Sequence, residues 1–293
     1  MLDMLITSIT AFILMLVPSF SNHVTNPPIT QITITFTGDI MLGRSVMGAS
    51  LDKDDPYYSF RKTSDFLKNT DITFGNLENP IVEDCKRHVG GFKFCTTPEI
   101  AKSLTFSGFD IVTIANNHTN NYGKEGFEET KKYLNNDGVK SVGYGNLGII
   151  EKNGTKFGFL GFDLVSNQFS ASDQQLITDS DSLVDVLIIG PHWGTEYQAI
   201  ANKLQITIAE QMVESGADVV IGHHPHWVQN YEEINGVPVY YSLGNFIFDQ
   251  MWSEETKKGL VIKITFEGKN IVKTEEFKTY IPLIGQPVFE KGV

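Results

Sequence analysis

"VDVLIIGPHW", residues 184 to 193, is an apolar run that stops at a Gly-Pro-His cluster. A continuous stretch of this kind, rich in β-branched residues, reads as a strand covered on both faces. The pattern recurs in "ITITFTGD" (32–39), "DITFGNLE" (71–78), "DIVTIANNH" (110–118), "KFGFLGFD" (156–163), "ADVVIGHHPH" (217–226) and "VPVYYSLGN" (237–245). Helical segments lie between these runs. One starts at Pro98 and ends at Gly108; another, residues 198–216, spaces Ile200, Leu204, Ile208 and Met212 four apart and stops at Gly216. Strand and helix in alternation predict an α/β architecture with covered sheets. The segment 259–282 predicts a C-terminal β-hairpin turning at Gly268-Lys269-Asn270.

In open α/β sheets, ligands collect beyond the carboxyl ends of the strands. There this chain places His118, His192, His223, His224 and His226, together with Asp39, Asn76, Glu78, Asn116 and Asn117. In "IGHHPHWVQ" (221–229) an extended backbone would let His224 and His226 converge while His223 faces elsewhere, with Pro225 holding the exit extended. Two parallel imidazoles beside carboxylates suit a divalent transition ion. A satisfied core histidine would explain any one of them alone, but not histidines at three separate strand ends. His23 and His88 lie outside the pattern and are expected to face solvent.

The net charge of −12 argues against nucleic-acid binding, which needs a basic patch. Residues 1–27 read as a signal peptide or membrane anchor plus linker, and residues 28–293 as the domain that follows. The start is apolar to Val17 and then offers Ser19-Phe20-Ser21 as a cleavage site, but Asp3 stands where positive charge is usual. The expected location is extracytoplasmic, secreted or anchored to the membrane by an uncleaved N-terminal segment. Outside the cytoplasm, Cys85 and Cys95 can form a local disulfide across "KRHVGGFKF" (86–94), read as a hairpin turning at Gly90-Gly91; the alternative is two free thiols. Their spacing does not suit a paired-thiolate zinc knuckle.

Several weaker signals are set aside. "GYGNLG" (143–148) matches a dinucleotide-binding glycine pattern but runs into a hairpin at Asn153-Gly154 rather than a helix. Ser242 lacks a nucleophile-elbow setting, and "DKDDP" (52–56) reads as a solvated loop. Trp193 and Trp227 each follow a motif histidine and read as packing at the sheet rim.

"FTGDIMLGR", "GNLENP", "IANNH", "GPHWGTEY", "IGHHPHWVQ" and "YYSLGNFIFDQ", in this order from about Thr33 to Pro282, resemble the CapA family of capsule synthesis proteins, which includes the poly-gamma-glutamate capsule proteins. That family is regarded as a branch of the calcineurin-like metallophosphoesterases. The resemblance implies a sandwich of two packed mixed β-sheets flanked by helices. It also implies that Asp39 and His226 bind one metal, that Asn117, His192 and His224 bind a second, and that His118 faces the substrate, stabilises developing charge and protonates the leaving group.

Two positions depart from the superfamily pattern: Met41 stands in place of a metal-binding histidine, and Asn76 in place of a bridging aspartate. Glu78, two residues beyond Asn76, could supply the missing charge. The implied cofactor is one or two divalent ions, Mn, Zn or Fe. The implied function is an exported phosphoesterase-like hydrolase in capsule or cell-envelope polymer biosynthesis, acting on an anionic polymer or a phosphoester. The alternative is a non-catalytic assembly or export partner of capsule synthase subunits.

Overall fold

The computed structural model describes residues 30–290. In chain order, β1 (Gln31–Ile40) leads through α1 (Arg44–Asp52) and α2 (Ser64–Lys68) to β2 (Ile72–Leu77). The short helices α3 (Pro98–Ala101) and α4 (Ser103–Phe106) precede β3 (Ile111–Thr113), and α5 (Gly123–Asn136) precedes β4 (Lys140–Val142). Next come β5 (Gly148–Lys152) and β6 (Thr155–Asp163), then α6 (Ala171–Asp181) and β7 (Val186–His192), then α7 (Lys203–Glu214) and β8 (Val219–Ile221). After β9 (Tyr231–Ile234) and β10 (Val237–Tyr240) the chain returns as β11 (Asn245–Ile247) and ends in β12 (Lys258–Glu267), β13 (Asn270–Leu283) and β14 (Gln286–Phe289).

Two mixed sheets result. The first has the order β14-β13-β12-β1-β2-β3-β4 with β11 also paired to β1, and the second has the order β5-β6-β7-β8-β10-β9. Their central strands are parallel, so β1, β2 and β3 in one sheet and β6, β7 and β8 in the other each run in a common direction. Alternate residues of the two inner faces fill one core: Ile34, Phe36 and Phe74 pack with Phe159, Ile188 and Ile221. The opposite residues face helices, with Ile40, Leu77 and Val112 against α1 to α5, and Leu187, Ile189 and Val220 against α6 and α7. Covering both faces of the central strands explains why they read as unbroken apolar runs. The architecture is the expected sandwich of mixed sheets flanked by helices, and the C-terminal hairpin is β12–β13.

Four local expectations are corrected. The 98–108 helix is broken into α3 and α4, and in its second half the Ser107 hydroxyl bonds back to the carbonyls of Ser103 and Leu104, competing with helix continuation. The 198–216 helix starts only at Lys203, where Asn202 and Gln205 form a reciprocal capping box. Ile200, before the helix, and Leu204, in its first turn, are exposed, while Ile208 and Met212 carry the buried stripe. Finally, residues 86–94 form no hairpin: Gly90 and Gly91 take left-handed φ of 69° and 77° in an open loop, whose ends are joined by a Cys85–Cys95 disulfide. His88 is half-buried there rather than solvent-facing. The leader, the Ser19-Phe20-Ser21 site and His23 lie outside the described residues. Among the described residues no helix is long and apolar enough to cross a membrane.

Candidate metal centre

Strand register builds the site. Asp39, near the end of β1, is paired with Asn76 on β2 and with Asn245 on β11. In the other sheet His192, the last residue of β7, pairs with Asp163 on β6 and bridges to His223 just beyond β8. The carboxyl ends of both sheets thus meet at one rim, with acid and amide groups supplied by the first sheet and most imidazoles by the second.

A closed chain of contacts follows. Asn76 Nδ2 donates to Asp39 Oδ1 at 2.8 Å and lies 3.1 Å from His192 Nδ1, while Asn76 Oδ1 accepts from Asn116 Nδ2 at 3.0 Å. His192 Nε2 lies 2.9 Å from Asn117 Oδ1, and the His192 and His224 rings are 4.8 Å apart. Asn117 Nδ2 is 3.3 Å from His118 Nε2, which stands 3.7 Å from Glu78 Oε1. His226 closes the circuit, with Nε2 3.8 Å from Glu78 and Nδ1 3.4 Å from Asp39 Oδ2. Every residue singled out from the sequence as a site candidate, Asp39, Asn76, Glu78, Asn117, His118, His192, His224 and His226, is therefore at this rim.

The geometry of residues 222–227 departs from expectation. His224 and His226 adopt left-handed φ of 98° and 58°, so the chain turns instead of alternating. Such a conformation costs a residue bearing a Cβ about 1–3 kcal/mol and persists only where surroundings impose it. Here Asp39 Oδ2 accepts from the His224 N–H at 3.2 Å, and Pro225 O accepts from the Tyr197 N–H at 2.8 Å. As a result His223 does not face elsewhere; its Nδ1 stands 3.4 Å from Asp39 Oδ1, fully buried.

Met41 contributes nothing to the centre, being fully buried in the apolar cluster that includes Leu42, Val46 and Phe60. Trp193 packs at the rim and donates from Nε1 to Tyr241 O at 2.9 Å, and Trp227 is half-buried beside Tyr197. Residues missed in the sequence include His223, read as facing away, and Asn245, whose Oδ1 lies 3.0 Å from His226 Nδ1. Asn245 ends the apolar run 237–245, and that position is the signal that could have identified it.

Electrostatics set the charge states. Burial works to raise the Asp39 carboxyl, but the imidazoles of His223 and His226 outweigh it and hold the group well below the usual carboxylate range. Burial pushes Glu78 well above its ordinary value, with Asp39 adding to the effect and His226 opposing it. Burial disfavours charge on His226 too, yet Glu78 and Asp39 raise it to about 9. Burial lowers His118 and His224 to about 4, and lowers His192 well below normal.

Both carboxylate oxygens of Glu78 are buried without a hydrogen-bond donor among the described residues, and His224 Nδ1 and both ring nitrogens of His223 are likewise unpartnered. Unpaired buried polar groups are costly, so a cluster of them at one rim is expected to be met by water or an ion. Ligand atoms of Asp39, Glu78 and His226 lie within 4.8 Å of one another. This donor set, carboxylate oxygen with imidazole nitrogen, fits a divalent cation. Cys85, His88 and Cys95 also cluster, but sulfurs bonded to each other are not thiolate ligands.

Residues 33–250 match the family model described as bacterial capsule synthesis protein PGA_cap. The chain is 32% identical over 260 residues to the capsule biosynthesis protein CapA of Bacillus anthracis, covering 79% of this chain and 63% of that protein. It is 30% identical over 254 residues to the PGA biosynthesis protein CapA of Bacillus subtilis (strain 168), covering 78% and 67%. The chain thus spans roughly two thirds of the length of these relatives. Among solved structures, a hypothetical protein from Thermus thermophilus is similar in fold, with a TM-score of 0.58 at 14% identity over 86% of this chain and 100% of that one.

Proposed function

Because this chain belongs to the bacterial capsule synthesis protein family PGA_cap, we propose that it acts in capsule or poly-glutamate biosynthesis, as an exported, metal-dependent hydrolase of the phosphoesterase type. The observation that carries the reading is Glu78: a wholly buried carboxylate with no donor, facing Asp39 and His226. Asp39, Glu78 and His226 would hold one divalent ion, Mn, Zn or Fe. Asn117, His192 and His224 would hold a second where one binds, with Asn76 standing between the two sets. When bound, the metal supplies Lewis acidity toward an anionic oxygen.

The chain's own groups do the rest. His118, beside Glu78 at the mouth of the centre, is the group that moves a proton, at its Nε2. Because burial keeps its ring neutral near pH 7, it must first gain a proton before it can protonate a leaving group. Asn117 holds His192 and neighbours His118, so it keeps the proton-moving group in register with the metal ligands. Asn245, from the far side of Asp39, fixes the ring of His226.

The substrate on this reading is an anionic envelope polymer or a phosphoester. A bound cation would offset the repulsion that a chain of net charge −12 exerts on such a substrate. The working location is extracytoplasmic, with capsule synthase subunits as partners and the N-terminal segment as a membrane tether where it is retained. The test is to purify residues 28–293, measure bound metal, and assay phosphomonoester, phosphodiester and polyglutamate hydrolysis beside His118→Ala and His224→Ala. His224→Ala should lose metal, whereas His118→Ala should keep metal and lose turnover. Background rates in all three proteins, with metal present in the parent, would overturn the hydrolase assignment.

A further inference from the structure

We propose that Arg44 is a positioning residue that acts through Phe94 and the disulfide-tethered segment 91–95 to lock His118 as its Nδ1–H tautomer, leaving the Nε2 lone pair facing the metal centre. The importance of that lone pair for turnover rests on the reading above; the tautomer itself does not.

The argument starts at the His118 ring. Its Nδ1 has two oxygen neighbours, Phe92 O at 3.1 Å and Asn121 Oδ1 at 3.2 Å. The identity of the second as oxygen is fixed, because the Phe94 N–H donates to it at 2.6 Å. A ring nitrogen facing two acceptors and no donor must carry the proton. On the opposite side Nε2 faces the Asn117 Nδ2 donor at 3.3 Å, as an acceptor should.

The orienting groups come from the loop that closes at the Cys85–Cys95 disulfide, which lacks strand pairing of its own. Phe92 supplies the carbonyl, and the Phe94 ring stacks on His118 at 3.8 Å between centroids, with 21° between planes. Arg44 holds that loop in place. Its guanidinium lies over the Phe94 ring at 4.3 Å, Nη1 donates to Gly91 O at 2.7 Å, and Nη2 is paired with Asp249. Arg44 itself sits at a left-handed φ of 47°, a strained conformation for a residue with a Cβ. Only a planar fork can stack and make both bonds at once, so lysine cannot replace it. Three restraints thus converge on this loop beside the Phe94–Asn121 bond: the guanidinium, the stacked ring and the disulfide.

The experiment reads tautomer directly, by long-range proton–nitrogen correlation on protein with nitrogen-15-labelled histidine, treated with chelator, and with the His118 signals assigned by their loss in His118→Gln. The parent should show a single Nδ1–H form. Arg44→Lys, and the milder Phe94→Leu should the first variant fold poorly, should shift His118 toward the Nε2–H form while bound zinc in separately loaded samples stays within error of the parent. Reduction of the disulfide with a phosphine should move the signal in the same direction. Where phosphodiester turnover is measurable, Arg44→Lys should lower kcat by about 10–100-fold with KM unchanged, as loss of an orienting partner does. A parent in the Nε2–H form, or an unaltered tautomer in folded Arg44→Lys and Phe94→Leu, would overturn the proposal. A tautomer shift without detectable hydrolysis in the parent would leave it standing and count against the hydrolase reading alone.

Discussion

Asn76 and Asp39 lie side by side on paired strands, both wholly buried, with the amide Nδ2 donating to the carboxylate Oδ1 at 2.8 Å. A neutral donor therefore occupies the position from which a second carboxylate would share a cation with Asp39. Asn76→Asp removes that donor and sets two acids together. In chelator it should destabilise the protein by about 3–5 kcal/mol, the range for an uncompensated buried charge. Excess Mn or Zn should restore stability and raise the bound-metal stoichiometry, as read by thermal denaturation and elemental analysis.

Glu78→Gln keeps the shape of the side chain and deletes its charge. The parent should gain about 2.7 kcal/mol of stability at a metal concentration about 100 times the dissociation constant. In the variant that gain should vanish with little change in the chelated protein's fold. A Tm increase on metal addition equal to that of the parent would count against Glu78 as a ligand.

Acid sensitivity should trace in part to His118. Its folded-state value of about 4 lies below the ordinary 6.5, so between those pH values the unfolded chain takes up a proton that the fold refuses. Stability from this group is complete above pH 6.5 and is lost as pH falls toward 4, at about 1.4 kcal/mol per pH unit. In chelator, His118→Asn should flatten the stability-versus-pH slope by about that amount. Denaturant melts at half-unit steps would detect the difference, and parallel slopes would refute it.

Gly38→Ala tests the crossing that sets Asp39. A Cβ at this position would meet Gly244 O at 2.0 Å, beside the bond from the Asp39 N–H to that same oxygen. Overpacking against backbone cannot be relieved by a rotamer change, so a loss of about 1–3 kcal/mol or more is expected. Metal retention should fall as well, because Asp39 is displaced with the strand.

The fold was legible because the central strands β1, β2, β3, β6, β7 and β8 are covered on both faces, so each announces itself as an apolar run that stops where the polar rim begins. Asp39, Asn76, Asn117, His192 and His224 come together because each falls just at such a stop. The parity of residues 222–227 was not legible. It depends on left-handed backbone at His224 and His226, imposed by Asp39 and Tyr197 from far along the chain, and local alternation therefore misassigned His223. The same holds for Arg44: it closes the motif 36–44, but its partners Gly91, Phe94 and Asp249 become neighbours only after folding. The 198–216 helix starts later than its apolar stripe because Asn202 and Gln205, an N-x-x-Q capping pair that the sequence does carry, cut it at Lys203.

The division of labour between the sheets reaches back into how the protein forms. Asp39 and Glu78 hang from one sheet and His192 and His226 from the other, so on the proposed reading neither half alone would bind a cation tightly. Capture of the proposed ion would then wait for the docking of segments nearly two hundred residues apart, a slow class of contact to close. During refolding, recovery of the metal signal should trail recovery of backbone circular dichroism, so that a captured ion certifies that the two sheets have docked.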